Sequence, residues 1–300
     1  TMVNGASPPE VPIDERLVVG LLEDQHPDLA GLPVTRFGNG WDNEIFALGE
    51  SLLVRMPRRA AAVPFARNEH EWLARIAPGL PVAVPAPVRL GEPGRGYPWP
   101  WCVVPRFGGE PAATVPFADE VEAARDLAAF LVALHVRAPD GAPTNPYRGI
   151  ALTEVVDRFE IRRDRLVPRL RAEGRDTVML EHMFFSGMDA MAHPGPEVWM
   201  HGDLHPGNVL VHRGRTAAVI DWGDLCAGDP AGDLQVAWML FGPAAREAFR
   251  DSYGTDADPW LTSRARAWAV HSAFVYLDND AGDPLMTRIG NMTLDRLLGD

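Results

Sequence analysis

The sequence predicts an α+β chain of two lobes. A small N-terminal lobe, residues 1–107, carries an antiparallel sheet with one central helix; a larger, mainly helical C-terminal lobe fills residues 108–300. Three observations carry this expectation. Short strand-like runs crowd residues 34–104, whereas long apolar faces at helical spacing dominate from residue 118 onward. Between them lies Pro105-Arg106-Phe107-Gly108-Gly109, a stretch of hinge composition. A chain of 300 residues suits one large domain or two modest ones, with ample length for a core.

Each element follows from its local pattern. Ile13, Leu17, Val18, Leu21 and Leu22 share one face of a leading helix, residues 13–22. Val34–Phe37, Asn43–Leu48 and Leu52–Arg55 read as strands, the first two joined by the turn-like Gly38-Asn39-Gly40. Phe65, Glu69, Trp72, Leu73 and Ile76 space a helix over 65–76, and Val88–Leu90 and Trp101–Val104 are the remaining strands of this lobe. In the second lobe, helices are expected over 118–136, 154–172 (kinked at Pro168), 176–191, 231–240, 243–252, 261–277 and 284–298. Short strands at Val198–Met200, Asn208–Val211 and Ala217–Ile220 interrupt them.

Composition narrows the function. A formal net charge of −13 argues against a nucleic-acid binder and against docking on anionic lipid; it fits a cationic partner. Cys102 and Cys226 cannot make a disulfide framework, which points to a reducing cytoplasm. No apolar run approaches the roughly 20 residues that span a bilayer, and Thr1-Met2-Val3-Asn4-Gly5 has neither region of a signal peptide. The expectation is a cytoplasmic protein with no membrane and no obligate protein partner. All 28 basic side chains are Arg, so a Schiff-base or P-loop lysine is excluded and any work of lysine falls to arginine.

The chemistry concentrates in His201-Gly202-Asp203-Leu204-His205-Pro206-Gly207-Asn208 and in Asp221-Trp222-Gly223, which begins thirteen residues after Asn208. A strand ends, a Pro/Gly loop presents one Asp, and a hairpin then delivers a second Asp, so Asp203, Asn208 and Asp221 are expected to converge. Phosphoryl transfer asks for this set: one carboxylate to orient the acceptor hydroxyl, and an amide oxygen with a second carboxylate to hold magnesium. The spacing Asp-x4-Asn followed by Asp-x-Gly matches the catalytic and metal-binding loops of kinases, but Gly202 and Trp222 replace the Arg and Phe of protein kinases.

On these residues the chain resembles the aminoglycoside phosphotransferase family, the small-molecule branch of the protein-kinase-like fold. H-G-D-L-H-P-G-N-V-L, V-I-D-W-G-D, Gly228-Asp229-Pro230 and Asp233 carry the resemblance, with G-N-G-W-D-N-E and L-V-R-M-P-R-R similar to one bacterial subgroup. It spans Gly38 to Asp233, roughly two-thirds of the chain. It implies a bilobal kinase-like fold, Mg2+, and ATP or GTP as donor to a hydroxyl of a small molecule, an aminoglycoside or another hydroxylated antibiotic. Asp203 resembles the family's catalytic base, and Asn208 and Asp221 its metal ligands. The family's third-strand lysine, which touches the phosphates, falls on Arg55, with Arg58 and Arg59 as alternatives; its helix partner falls on Glu69. Asn39 or Asn43 stands at the nucleotide loop, and the base of the nucleotide rests on backbone from Val104 to Phe107.

Other readings stay open. His201-x-Asp203-x-His205 is also a metal-ligand pattern for a hydrolase, and the missing lysine suits a nucleotide-binding module without turnover. A metabolite kinase for an amino alcohol or sugar is a rival within the same class. Acceptor contacts are expected from Asp224, Glu181, Asp278 and Asp280, where the plain alternative is a solvated acidic surface. Asp233 reads as a structural tether of the loop, Asp229 as a helix cap, and His135 as a packed core residue.

Overall fold

In the computed structural model the described residues are 8–254, 258–278 and 282–299. The chain divides into two compact units, Thr1–Pro78 with Ala83–Gly108, and Gly79–Val82 with Gly109–Asp300.

In the first unit, Asp14 accepts the Leu17 N–H at 2.8 Å and starts α1 (Glu15–Gln25). Strands β1 (Val34–Asn39), β2 (Asn43–Leu48) and β3 (Leu52–Pro57) precede α2 (Val63–Ile76), and β4 (Arg89–Gly91) and β5 (Trp101–Pro105) follow it. All neighbours are antiparallel in the order β1-β2-β3-β5-β4. The two-residue period of a strand sorts the side chains. Phe46, Leu48, Val54, Met56, Trp101 and Val103 share one core with Val18, Leu21 and Leu22 of α1. Arg55, alternating with Val54 and Met56, belongs to the other face, where α2 meets it. The first turn departs from expectation: a bulge between Arg36 and Gly38 carries β1 on to Asn39, so the reversal falls at residues 40–42 rather than at Gly38-Asn39-Gly40.

The second unit opens with β6 (Glu110–Pro111) and α3 (Glu120–Leu134), whose N-terminus Asp119 caps through the Val121 and Glu122 N–H groups. Then come α4 (Val156–Ala172), α5 (Thr177–Met188), β7 (Val198–Met200), β8 (Val209–His212), β9 (Arg215–Val219) and β10 (Cys226–Gly228). The chain ends with α6 (Ala231–Leu234), α7 (Val236–Leu240), α8 (Pro243–Tyr253), α9 (Leu261–Leu277) and α10 (Pro284–Leu298). Helix α9 is buried on nearly every side because α4, α5, α6 and α10 all pack on it. Phe159 of α4 stacks on Phe184 of α5 at 3.6 Å between ring centres and meets Phe274 of α9 at 5.1 Å. Two small antiparallel sheets, β6-β8-β9 and β7-β10, hold the loops described below.

Helix α4 is continuous through Pro168. The helix expected over 231–240 is two short helices that meet at Gln235, whose Oε1 accepts the Ser272 hydroxyl at 2.7 Å. Strands β6 and β10 have two and three residues, too few to show an alternation. Among the described residues no helix is long and apolar enough to cross a membrane. Phe159→Ala, which removes a ring held by three other rings at full burial, is expected to lower stability by about 3–5 kcal/mol, read by chemical denaturation.

Candidate active site

The loop 201–208 leaves β7 and enters β8, and its start is set by a carboxylate. Asp233 of α6 is fully buried; its Oδ2 accepts the His201 N–H at 2.7 Å and its Oδ1 the Gly202 N–H at 3.0 Å. His135 places Nε2 at 3.2 Å from Oδ2 and Nδ1 at 2.8 Å from the Tyr253 hydroxyl. The Asp233 carboxylate can only accept, so His135 carries a proton on Nε2; burial, then Asp233, pushes the Tyr253 phenol up and keeps its hydroxyl protonated. Gly202 has φ +85°, and a Cβ there would sit 2.3 Å from the Asp224 carbonyl oxygen, so glycine is required twice over.

The loop's own groups close it. The Asp203 N–H donates to His201 Nδ1 at 3.2 Å, and His201 Nε2 donates to the Ile220 carbonyl at 3.0 Å. The Gly207 N–H donates to His205 Nδ1 at 3.0 Å, and burial lowers the His205 pKa, which keeps that imidazole neutral. Asn208 donates from Nδ2 to the Asp203 carbonyl at 2.9 Å, while its own carbonyl accepts the Ile220 N–H at 2.9 Å. Asp221 follows at once, exposed, with φ +66°, a conformation costly for a residue with a Cβ. The Asn208 side chain is therefore bonded to the Asp203 main chain, and the residue before Asp221 is bonded to the Asn208 main chain.

Asn208 has its amide nitrogen committed, which leaves Oδ1 as the side-chain atom that could ligate; Oδ1 and the Asp221 carboxylate are both hard oxygen donors. That pair fits Mg2+, which takes one or two protein ligands and completes its shell with phosphate oxygens and water. It does not make a protein cage: among the described residues no group of three or more His, Cys, Asp or Glu is placed to hold a metal. The His201-x-Asp203-x-His205 pattern has three of its four ring nitrogens bonded to the loop's own backbone and to Ile220.

In the first unit, Arg55 of β3 and Glu69 of α2 form a buried ion pair, 8% and 3% exposed. Arg58 lies 2.9 Å from Glu44 and donates to the Gly40 carbonyl at 3.2 Å, and Arg59 pairs with Asp42 at 2.9 Å. These contacts brace the 40–42 turn. Asn39 is buried at the end of β1, and Asn43 is half-buried at the start of β2. Val104 is buried, and Phe107 is half-buried after β5.

Among the described residues the acidic acceptor candidates are each engaged by arginine. Asp278 pairs with Arg162 at 3.7 Å and Arg165 at 3.3 Å, and Glu181 with Arg171 at 3.8 Å. Asp280 lies outside the described residues. Asp224 accepts Asn145 Nδ2 at 2.8 Å and Arg148 Nε at 3.0 Å, and Arg148 continues to Asp203 Oδ1 at 2.6 Å. Sequence reasoning did not single out Asn145 or Arg148: they sit in a Pro-rich segment without motif, 76 residues or more from Asp224 and, for Arg148, 55 from Asp203. Burial raises the Asp203 pKa, but Arg148 first, then His205 and His201, outweigh it and hold the carboxyl below its usual value.

The sequence profile of the phosphotransferase enzyme family matches residues 33–268. The chain belongs to this family. Its fold recurs in solved members. The GDP complex of a mutant aminoglycoside 2′-phosphotransferase-IIIa is 19% identical, covers 88% of this chain and 89% of its own, and has a TM-score of 0.65. The apoenzyme of macrolide 2′-phosphotransferase MphH from Brachybacterium faecium is 22% identical, with 93% and 98% covered and a TM-score of 0.58. The bilobal protein-kinase-like α+β fold is thus shared with both. The uncharacterized protein YcbJ of Bacillus subtilis (strain 168) is 27% identical over 209 residues, which is 65% of this chain and 64% of that protein's length.

In this phosphotransferase-family chain the loop rests on Gly202 and Asp233, and both are testable. Gly202→Ala is expected to displace Asp203 and remove any turnover, with a fall in melting temperature. Asp233→Ala leaves two buried N–H groups without an acceptor and is expected to cost at least about 2 kcal/mol by chemical denaturation.

Proposed function

We propose that this chain transfers the γ-phosphoryl group of ATP or GTP, as the magnesium complex, to a hydroxyl of a small molecule. The observation that carries the reading is the Asp203–Asn208–Asp221 loop pair: an ionised carboxylate held by Arg148, the Asn208 amide bonded to the Asp203 main-chain carbonyl, and Asp221 one residue beyond the Ile220 N–H that bonds the Asn208 carbonyl. Asp203 accepts the acceptor's O–H and orients that oxygen in line with the γ-phosphorus. The new O–P bond forms as the bond to the β-phosphate oxygen breaks, and the electron pair leaves with the nucleoside diphosphate. The hydroxyl proton passes to Asp203 and on to solvent. A carboxylate of depressed pKa is a weak base, which suits a loose transition state in which the nucleophile gives up its proton late.

Asn208 Oδ1 and Asp221 would hold Mg2+, which when bound screens the phosphate charge and the charge on the leaving group. Arg55, fixed by Glu69, would take the α- and β-phosphates. Its planar fork replaces the compact ammonium of a lysine, and its burial keeps it oriented. Backbone from Val104 to Phe107 would receive the base, and Asn39 or Asn43 would face the phosphates from the first hairpin. The first unit would then be a nucleotide-binding lobe, residues 1–107, and the second a catalytic and acceptor lobe, residues 108–300.

The acceptor is a hydroxylated antibiotic, by likeness to the aminoglycoside and macrolide 2′-phosphotransferases of the same fold. The pairing of Asp224, Asp278 and Glu181 with arginines favours a compound held through hydroxyls and apolar contacts over one held by a row of ammonium groups. An amino alcohol or sugar acceptor is the rival within the class. With ATP or GTP as donor, the reaction would run in the cytoplasm.

The test is ADP and GDP release with Mg2+ and each triphosphate against aminoglycosides, macrolides, peptide antibiotics, amino alcohols and sugars. Asp203→Asn is expected to lower kcat by about 10²–10⁴-fold with nucleotide affinity nearly unchanged. Asp221→Ala is expected to remove magnesium-dependent nucleotide binding, and Arg55→Ala to weaken triphosphate binding about tenfold or more. Zinc-dependent activity without nucleotide would make the chain a metallohydrolase. Nucleotide binding with no product from any acceptor would make it a binding module.

A further inference from the structure

The proposed mechanism asks one more thing of Asp203: its carboxylate must present one defined oxygen to the acceptor. A side chain about a quarter exposed does not do this alone, because its terminal torsion is broad. Arg148 supplies the constraint. Its Nη2 donates to Asp203 Oδ1 at 2.6 Å while its Nε donates to Asp224 Oδ2 at 3.0 Å, so one rigid guanidinium bridges two carboxylates. Asp224 is held in turn, with Asn145 Nδ2 on its Oδ1 at 2.8 Å, and Asn145 Oδ1 accepts the Tyr147 N–H at 2.9 Å. Both oxygens of Asp224 are thereby occupied. It anchors the arginine.

The segment that carries Arg148 is fixed at both ends. Pro143 accepts the Ala227 N–H at 2.9 Å. Gly149, at φ +68°, lies so close to β10 that a Cβ would fall 2.7 Å from the Ala227 carbonyl oxygen, and a Cβ on Gly228 would fall 2.3 Å from the Gly149 Cα. Arg148 is the residue next to that backbone contact, so its stem starts from a defined point. On the other side of Asp203, His205 Nε2 is 3.6 Å from Oδ2, beyond hydrogen-bonding distance.

We propose that Arg148 is the positioning residue for Asp203: by binding Oδ1 and tying it to Asp224, it leaves Oδ2 turned to the acceptor hydroxyl. This rests on the phosphoryl-transfer reading of the site. The same geometry gives Asp224 the role of anchor, in place of the acceptor contact expected from the sequence.

The experiment compares the full-length wild type with Arg148→Ala, Arg148→Lys and Asp224→Asn, using the acceptor found by nucleotide release, or water through intrinsic triphosphate hydrolysis. Arg148→Ala is expected to lose about 10²-fold in kcat with the nucleotide KM within twofold, the signature of a misplaced reacting group. Arg148→Lys recovers only a small part of the loss, since one ammonium cannot bridge both carboxylates in a plane. Guanidinium ion at non-denaturing concentration restores turnover to Arg148→Ala and none to Asp203→Asn. Asp224→Asn, which keeps the arginine but removes its anchor charge, gives an intermediate loss. Wild-type kcat in Arg148→Ala overturns the proposal, and so does a loss that guanidinium does not repair. Should Arg148→Ala fail to fold, full kcat in Arg148→Lys overturns it. A wild type with no nucleotide turnover at all instead sinks the phosphoryl-transfer reading.

Discussion

The carboxylate of Asp233, cut off from water, is where the chemistry of the helical unit begins. It accepts the N–H groups of His201 and Gly202 and faces His135, so a buried negative charge is stable only while the loop 201–208 keeps its conformation. The loop's other bonds follow from that start. With the first two peptides fixed, the Asp203 N–H meets His201 Nδ1, Asn208 reaches the Asp203 carbonyl, and Ile220 is drawn beside Asn208. Asp221 takes up its left-handed backbone at the end of that chain of bonds. Strain at Asp221 and burial at Asp233 are two ends of one network.

The loop was legible because its logic is local. Eight consecutive residues and the thirteen that follow contain the spacings of Asp203, Asn208 and Asp221, and a glycine, a proline and an asparagine stand where the backbone needs them. The last two helices were equally plain: α9 and α10 fall at their expected limits, α9 as an uninterrupted helix buried nearly all round and α10 from an Asp283 cap that accepts the Leu285 N–H. The first hairpin was misplaced for a reason of equal clarity. A bulge adds one residue to β1, and alternation alone cannot count a residue that two-to-one pairing absorbs.

What sequence did not disclose are contacts between distant positions of unremarkable type. Arg148 is one of 28 arginines in a chain without lysine, so its residue type carried no signal. The carboxylates expected to receive an amine instead meet arginines from α4 or from the segment after Pro143. Composition is silent on this, since a net charge of −13 is compatible with local neutrality at each of these sites. Arg55 and Glu69 show the opposite case: fourteen residues separate them, and the pairing implied by the family resemblance is the one they make.

The segment from Pro143 to Gly149 interleaves scaffold with surface. Asn145 is buried and Arg148 bonded, while Thr144 before them and Pro146 and Tyr147 between them are exposed. Such a segment can diverge at its outward positions without disturbing the two carboxylates beneath it. Among descendants of one ancestral kinase, change would accumulate at 144, 146 and 147 and be purged at 149 and 228, where any side chain collides with backbone. Variation in this segment is thereby decoupled from the geometry of the Arg148 bridge.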